Sequence, residues 1–216
     1  MMTLILPKDM IVIEGQVLQD IEGIDVNEKK LIANSISKRK KEFATSRIFA
    51  KQAFRKMGIY DSVSLLCDEN RCPIWPKNVI GSISHTGSYC AVAIASINEY
   101  RGVGIDIEEI DRLSLDMKHI ICHGIEHEYI TSKCDKQNVE MLATIFSIKE
   151  SFYKMQYLVT KSWVGFHDVL CDVIENGRIR ISICKNIGNI FNKSDVVYGR
   201  YLVSNNNICT AVYLEA

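Results

Sequence analysis

Two stretches of helical period, one in each half of the chain and each set among strand-like runs, constrain this sequence more than any other feature. The first runs from about Asn27 to Met57 and is closed by Gly58, a residue suited to a helix C-cap. On it Phe43, Ala50, Phe54 and Met57 project within roughly 60° of one another, which makes a core stripe. The second, roughly Val139 to Leu158, carries Leu142, Ile145, Phe146 and Phe152 as its apolar stripe. Strand-like runs are Met10–Glu14, Tyr89–Ile97, Val103–Glu108, Asp168–Ile174, Arg178–Cys184, Val196–Val203 and Ile208–Leu214. Asp68–Pro76 reads as a turn-rich segment, followed by Ile80–Gly87, and the region after Glu108 reads as mainly helical to about Lys133. This order predicts an α+β protein. Cut near Arg101, it gives an N-terminal half of residues 1–101 and a C-terminal half of residues 102–216, each with one long helix and a few strands, suggesting a pseudo-twofold.

Apolar residues make up 47% of the 216 and charged residues 24%, enough to bury a core and too little charge for default disorder. The 26 basic and 26 acidic side chains balance, which argues against a protein that grips a long stretch of nucleic acid and makes any anion site local. None of the eight cysteines forms a Cys-x-x-Cys pair. The apolar start Thr3–Pro7 has no basic flank, and nowhere do 18 apolar residues run together. A cytoplasmic protein with reduced thiols and no membrane span is the expectation.

Gly102-Val-Gly-Ile-Asp-Ile-Glu108, read as a strand, sends Val103, Ile105 and Ile107 to one face and Gly104, Asp106 and Glu108 to the other. The two carboxylates then lie roughly 6–7 Å apart at the backbone, close enough to share one hard cation, and Gly104 leaves room for a ligand. The plain alternative is a half-exposed acidic strand. On the late helix Glu150 and Lys154 share one face, four residues apart, as a great many surface ion pairs do. His85, among Ser82, Ser84, Thr86 and Gly87 and without a Gly-x-Ser-x-Gly elbow, reads as a phosphate-binding hydrogen-bond donor at a turn. In the basic run Lys38–Lys41 and beyond, Lys40, Arg47 and Lys51 fall on one helical face, with Arg47 nearest the apolar stripe. His119, Cys122, His123 and His127 have helical spacing, but no further ligand pair supports a zinc site.

Order and spacing say more than any block alone. Pro73-Ile-Trp-Pro76, Gly81-Ser-Ile-Ser-His85, Gly104-Ile-Asp-Ile-Glu108 and Phe146-Ser-Ile-Lys-Glu-Ser151 with Lys154 resemble the signature blocks of the Sfp-type 4'-phosphopantetheinyl transferases. The likeness is greatest to the branch that serves siderophore synthetases of the enterobactin type. It runs from about Lys38 to Lys154. The resemblance implies a monomer of two similar halves that binds coenzyme A in the cleft between them and moves its phosphopantetheine arm to a serine of an apo carrier protein. Asp106, Glu108 and Glu150 would hold Mg²⁺, Glu150 would also act as base, and Lys154 would contact the diphosphate and assist the leaving group. His85 and Arg47, helped by Lys40, would grip the 3'-phosphate, while Ser84 and Arg71 line the nucleotide pocket. The carrier is expected to dock near Leu113, Met117 and Ile120.

Attack of a serine on a diphosphate needs neutralised charge, an in-line nucleophile and a base, and these residues supply each. A Mg²⁺-dependent nuclease is the competing enzyme, disfavoured by the balanced charge. A non-catalytic module binding coenzyme A or carriers is disfavoured by the complete set of metal and base residues. The short trimeric holo-acyl-carrier-protein synthases are about half this length, which favours the fused form.

Overall fold

The computed structural model describes residues 1–60, 63–131, 134–174 and 176–216. Strand β1 (Ile11–Gln16) is followed by two helices, α1 (Val26–Leu31) and α2 (Ser37–Lys56), where one continuous helix was expected. A capping box fixes the start of α1: the Asp25 carboxylate accepts from the Asn27 and Glu28 amides, and Glu28 accepts from the Asp25 amide. The break falls at Ile32–Ile36, where Asn34 and Ser35 are poor helix formers and Ile36 takes an extended conformation before α2. Gly58 follows α2 with φ 84°, the left-handed geometry expected of it.

Next come β2 (Val79–Thr86), β3 (Tyr89–Ser96) and β4 (Tyr100–Glu109). The segment Ile80–Thr86, where a turn was expected at His85, is regular strand. The actual turn is Gly87-Ser88, and β2 pairs with β3 in register from Val79↔Ser96 to Thr86↔Tyr89. The region after β4 breaks into 3₁₀ turns, α3 (Lys118–Ile121) and α4 (Glu126–Thr131); its expected end at Lys133 lies outside the described residues. Helix α5 (Asp135–Thr160) then leads to β5 (Val169–Ile174), β6 (Arg178–Ile183), β7 (Val196–Ser204) and β8 (Asn207–Glu215), close to the expected spans.

The strands form two antiparallel sheets, ordered β1-β3-β2 and β4-β8-β7-β6-β5. With the helices outside the strand runs, this is an α+β fold. Strand β2 lies along β4 without backbone pairing. Instead the Ser82 hydroxyl accepts from the Ile105 amide at 3.0 Å and the Ser84 hydroxyl from the Ile107 amide at 3.1 Å. Two serines thus satisfy the free edge of the larger sheet and join it to the smaller one.

Strand β4 is buried on both faces, not half-exposed. Val103, Ile105 and Ile107 pack with Ala91, Ala93 and Ala95 of β3 and with Cys209 and Ala211 of β8. The other face meets α5. A Cβ on Gly104 would sit 1.9 Å from the Ser151 carbonyl oxygen and 2.6 Å from the Met155 nitrogen. The space at Gly104 therefore belongs to the helix backbone and not to a ligand, a correction to the sequence reading. All eight cysteines are free thiols.

Candidate active site

The close approach of α5 to β4 decides which side chains meet. Ser147 and Ser151, both fully buried, let the helix lie on the strand. Glu150 and Lys154 then face Asp106 from one side of α5. Lys149, one residue from Glu150 and so about 100° around the helix, points elsewhere. Its ammonium pairs with Glu126 at 2.7 Å and bonds the Ile121 and Phe166 carbonyls, while Glu126 also accepts from the amides of His123 and Cys171. This buried network, with every member partnered, ties α5 to α4 and β5. Sequence reasoning passed over it.

A cavity of about 760 Å³ opens between α2, β2, β4, α5 and the turn at Asp68–Cys72. Asp106, 3% exposed, accepts from the Lys154 ammonium at 2.7 Å and from the Ser84 hydroxyl at 3.0 Å through Oδ1. Its Oδ2 is buried with no hydrogen-bond partner. Glu108 is held by Arg112 at 3.1 Å, yet burial, with the Asp106 charge adding, pushes its carboxyl up to about 7. Burial also raises Glu150, with Asp106 acting in the same direction and Lys154 against it. Three carboxyls thus crowd one site with too little positive charge, and an orphaned oxygen faces it. A hard cation fits this donor set of oxygens. As they stand, no three acid, imidazole or thiol groups among the described residues form a ready ligand cage, and the Lys154 ammonium serves as the counter-charge.

The basic side of the cavity differs from the reading in two ways. His85 sits on β2, opposite Cys90, and not on a turn. Its Nε2 lies 2.8 Å from Arg39 Nη1, and burial together with Arg39 and Lys154 lowers its pKa to about 4, so the ring is neutral near pH 7. Of the basic run it is Arg39 that lines the cavity; Lys40 does not, and Lys41 bonds Gln19. Arg47 lines it as expected, only 4% exposed, with its guanidinium over the Phe43 ring at 3.9 Å. Arg71 is at the tip of the turn with φ 64°, where the Asp68 carboxylate caps the Asn70 and Cys72 amides. Asn70 also donates to the Tyr157 hydroxyl at 2.7 Å, bridging this turn to α5. Ser84 faces the cavity, though its hydroxyl is engaged by Asp106, Lys154 and the Ile107 amide. The prolines around Trp75 and the basic run containing Arg39 were the sequence signals for the turn and for the basic side of the cavity. Nothing in the pattern flagged Asn70 or Tyr157.

Of the expected carrier-docking residues, Leu113 is buried, Met117 is half-buried against the same cluster and only Ile120 stands exposed at 62%. Among the four metal candidates, Cys122 is buried in an apolar cluster, while the His119 and His127 rings stand 5.7 Å apart.

One cavity thus brings Asp106, Glu108, Glu150 and Lys154 together with Arg39, Arg47 and Arg71. The chain belongs to the 4'-phosphopantetheinyl transferase superfamily, whose model matches residues 102–211, while that of the 4'-phosphopantetheinyl transferase N-terminal domain matches residues 27–95. It is 31% identical over 141 residues to 4'-phosphopantetheinyl transferase Npt of Nocardia iowensis, covering 65% of this chain and 62% of that protein. It is 37% identical over 133 residues to enterobactin synthase component D of Shigella flexneri, covering 61% and 60%. The matched stretch thus spans about three fifths of the length of these relatives. The solved holo-[acyl-carrier-protein] synthase of Thermotoga maritima is similar over 54% of this chain and 64% of its own, with a TM-score of 0.42 and 25% identity.

Proposed function

We propose that this chain transfers the 4'-phosphopantetheine group of coenzyme A to a serine of an apo carrier protein, releasing adenosine 3',5'-bisphosphate. The observation that carries this reading is the meeting, in one cavity, of Asp106, Glu108, Glu150 and Lys154 with Arg39, Arg47, Arg71 and His85. Asp106, Glu108 and Glu150 would hold Mg²⁺, which when bound supplies positive charge to the diphosphate. The carrier serine oxygen attacks the phosphorus that bears pantetheine, and the bond to the bridging oxygen of adenosine bisphosphate breaks. Glu150, which burial makes more basic than an ordinary carboxylate, is suited to take the serine proton. Lys154 would contact the diphosphate and offset the charge that develops on the bridging oxygen as it leaves with the adenosine 5'-phosphate. Arg39, Arg47 and neutral His85 offer donors to the 3'-phosphate, and Arg71 closes the nucleotide end.

Two halves, residues 1–101 and 102–216, act as one unit in this reading, with the cavity between them. The protein is taken as a cytoplasmic monomer that serves carrier proteins and not nucleic acid, a reading supported by its balanced charge and free thiols. Among the described residues no helix is long and apolar enough to cross a membrane. The deciding experiment incubates the protein, Mg²⁺ and a fluorescent pantetheine analogue of coenzyme A with an apo carrier. A labelled carrier whose mass rises by the arm supports the reading, and an unlabelled carrier under saturating conditions removes it.

A further inference from the structure

Four of the five histidines meet in two pairs, and none of the four lines the cavity or serves the proposed reaction. The His119 and His127 rings stand 5.7 Å apart, tilted by 39°, and the His123 and His167 rings 5.5 Å apart at 64°. His119 lies on α3, His127 on α4, His123 between them, and His167 in the 3₁₀ turn before β5. Helical spacing alone would set His119 beside His123. Instead α3 ends at the extended Cys122, and Gly124 turns the chain with φ 53°, so His119 meets His127. His123 meets His167, a partner distant in sequence that periodicity could not show. This second pair is held by the buried network that joins α5 to α4. The Lys149 ammonium bonds the Ile121 and Phe166 carbonyls at 2.8 Å each, and Glu126 accepts from the His123 amide at 2.7 Å. The backbone beside both rings is thus fixed before any ligand arrives.

Among the described residues only His85 has its ring in a hydrogen bond or ion pair, so the nitrogens of these four imidazoles are unclaimed. A neutral imidazole is the commonest metal ligand among side chains. Two imidazoles on one zinc ion, with Zn–N bonds of about 2.0–2.1 Å at a tetrahedral angle, have ring centres about 5.2 Å apart. Both pairs come within about 0.5 Å of that spacing. We propose that each pair is a clamp for a zinc ion. The imidazoles take two positions of its shell and water the others, since no third acid, imidazole or thiol group among the described residues completes a cage. An ion at His123 and His167 fastens the segment between α3 and α4 to the turn before β5. Nitrogen donors set these clamps apart from the oxygen donors of the cavity, which suit Mg²⁺. The clamps do not depend on the function proposed above.

Native protein, cleared of metal, is titrated with zinc chloride by calorimetry in excess Mg²⁺, which competes for the carboxylates. The wild type should bind two zinc ions, and His127→Asn and His167→Asn one each. The double variant should bind zinc at least ~10-fold more weakly, since losing a ligand costs no less than losing an outer-shell partner. In chelator both single variants should melt with the wild type, whereas zinc should raise the melting temperature of the wild type and not of the double variant. By NMR the ring protons of His119, His123, His127 and His167 should shift with zinc, while those of His85, in the cavity, should not. Cys134 is an exposed thiol that could itself take zinc, so Cys134→Ser is titrated as well and should still bind two ions. Equal zinc binding by the wild type and the double variant, a shift at His85 in place of the four, or loss of binding in Cys134→Ser would each overturn the clamps and leave the ring contacts as packing only. A single variant that still binds two ions removes its own clamp.

Discussion

Glu108 lies between Asp106, whose charge opposes its ionisation, and Arg112, which favours it, in a site that burial has largely dried. The balance leaves its carboxyl at about 7 in the folded state against an ordinary 4.5. Between those values the native protein holds a proton that the unfolded chain has lost, so stability falls as pH rises from about 4.5 through about 7 and stays lower above. A rise of that size corresponds to on the order of 3 kcal/mol before relaxation. Glu108→Gln should therefore stabilise the metal-free protein at pH 8 and do little at pH 4.5, as read by thermal melts in a chelator. An equal gain at both pH values would show that ionisation of Glu108 is not the cause. Asp106→Ala and Glu150→Gln should each lower carrier labelling by at least ~10²-fold, the usual loss on removing a metal ligand or general base. Near-normal turnover in a folded variant would take that residue out of the chemistry.

Among the elements, the contact between β4 and α5 fixes the site, because it aligns Asp106 with Glu150 and Lys154. Gly104→Ala would place a methyl 1.9 Å from the Ser151 carbonyl oxygen, and the backbone of a packed helix cannot swing away as a side chain can. The melting temperature should fall by the equivalent of roughly 3 kcal/mol, with activity down at least ~10-fold even well below the melt. Gly15→Ala is the control, since its Cβ would meet only Phe49 at an ordinary 3.6 Å. Comparable losses in both variants would show that the Gly104 contact has no special role. Strands β5 to β8 and helix α5 were legible in the sequence because their periodicity is strong and their ends are marked. Strand β2 was not: Ser82, Ser84, His85 and Thr86 look like turn chemistry, and only the edge of β4, which needs two hydroxyls, explains serines there. The alternation of Asp106 and Glu108 was legible, but burial of the face they share was not. A period of two says which residues lie together and nothing of what covers them. Arg39 was hidden among four consecutive basic residues, where helical angle alone favoured Lys40.

For the whole molecule the open matter is whether its two sheets behave as separate domains or as one folding unit. The core answers physically. Val103, Ile105 and Ile107 of the larger sheet share one cluster with Ala91, Ala93 and Ala95 of the smaller and with Met2, Ile5 and Leu6. Each large apolar side chain in that cluster contributes about 1.5–3 kcal/mol by burial. Separating the halves would expose several of them, a loss comparable to the 5–15 kcal/mol that typically stabilises a whole domain. Neither half should then survive the unfolding of the other. The tryptophans allow the test. Trp75 reports on the N-terminal half, packed edge-on against Phe54, and Trp163, 79% exposed beside Tyr153, belongs to the C-terminal half. In Trp163→Phe, which touches only an exposed ring, the fluorescence of Trp75 should change at the same urea concentration as the far-ultraviolet circular dichroism of the whole chain. Residues 102–216 expressed alone should associate through the uncovered face of β4 and β8, whereas the full chain should run as a monomer in light scattering. Two separated transitions, or a soluble monomeric fragment with native circular dichroism, would mean that the halves are independent domains and that the cavity between them is free to open as they move.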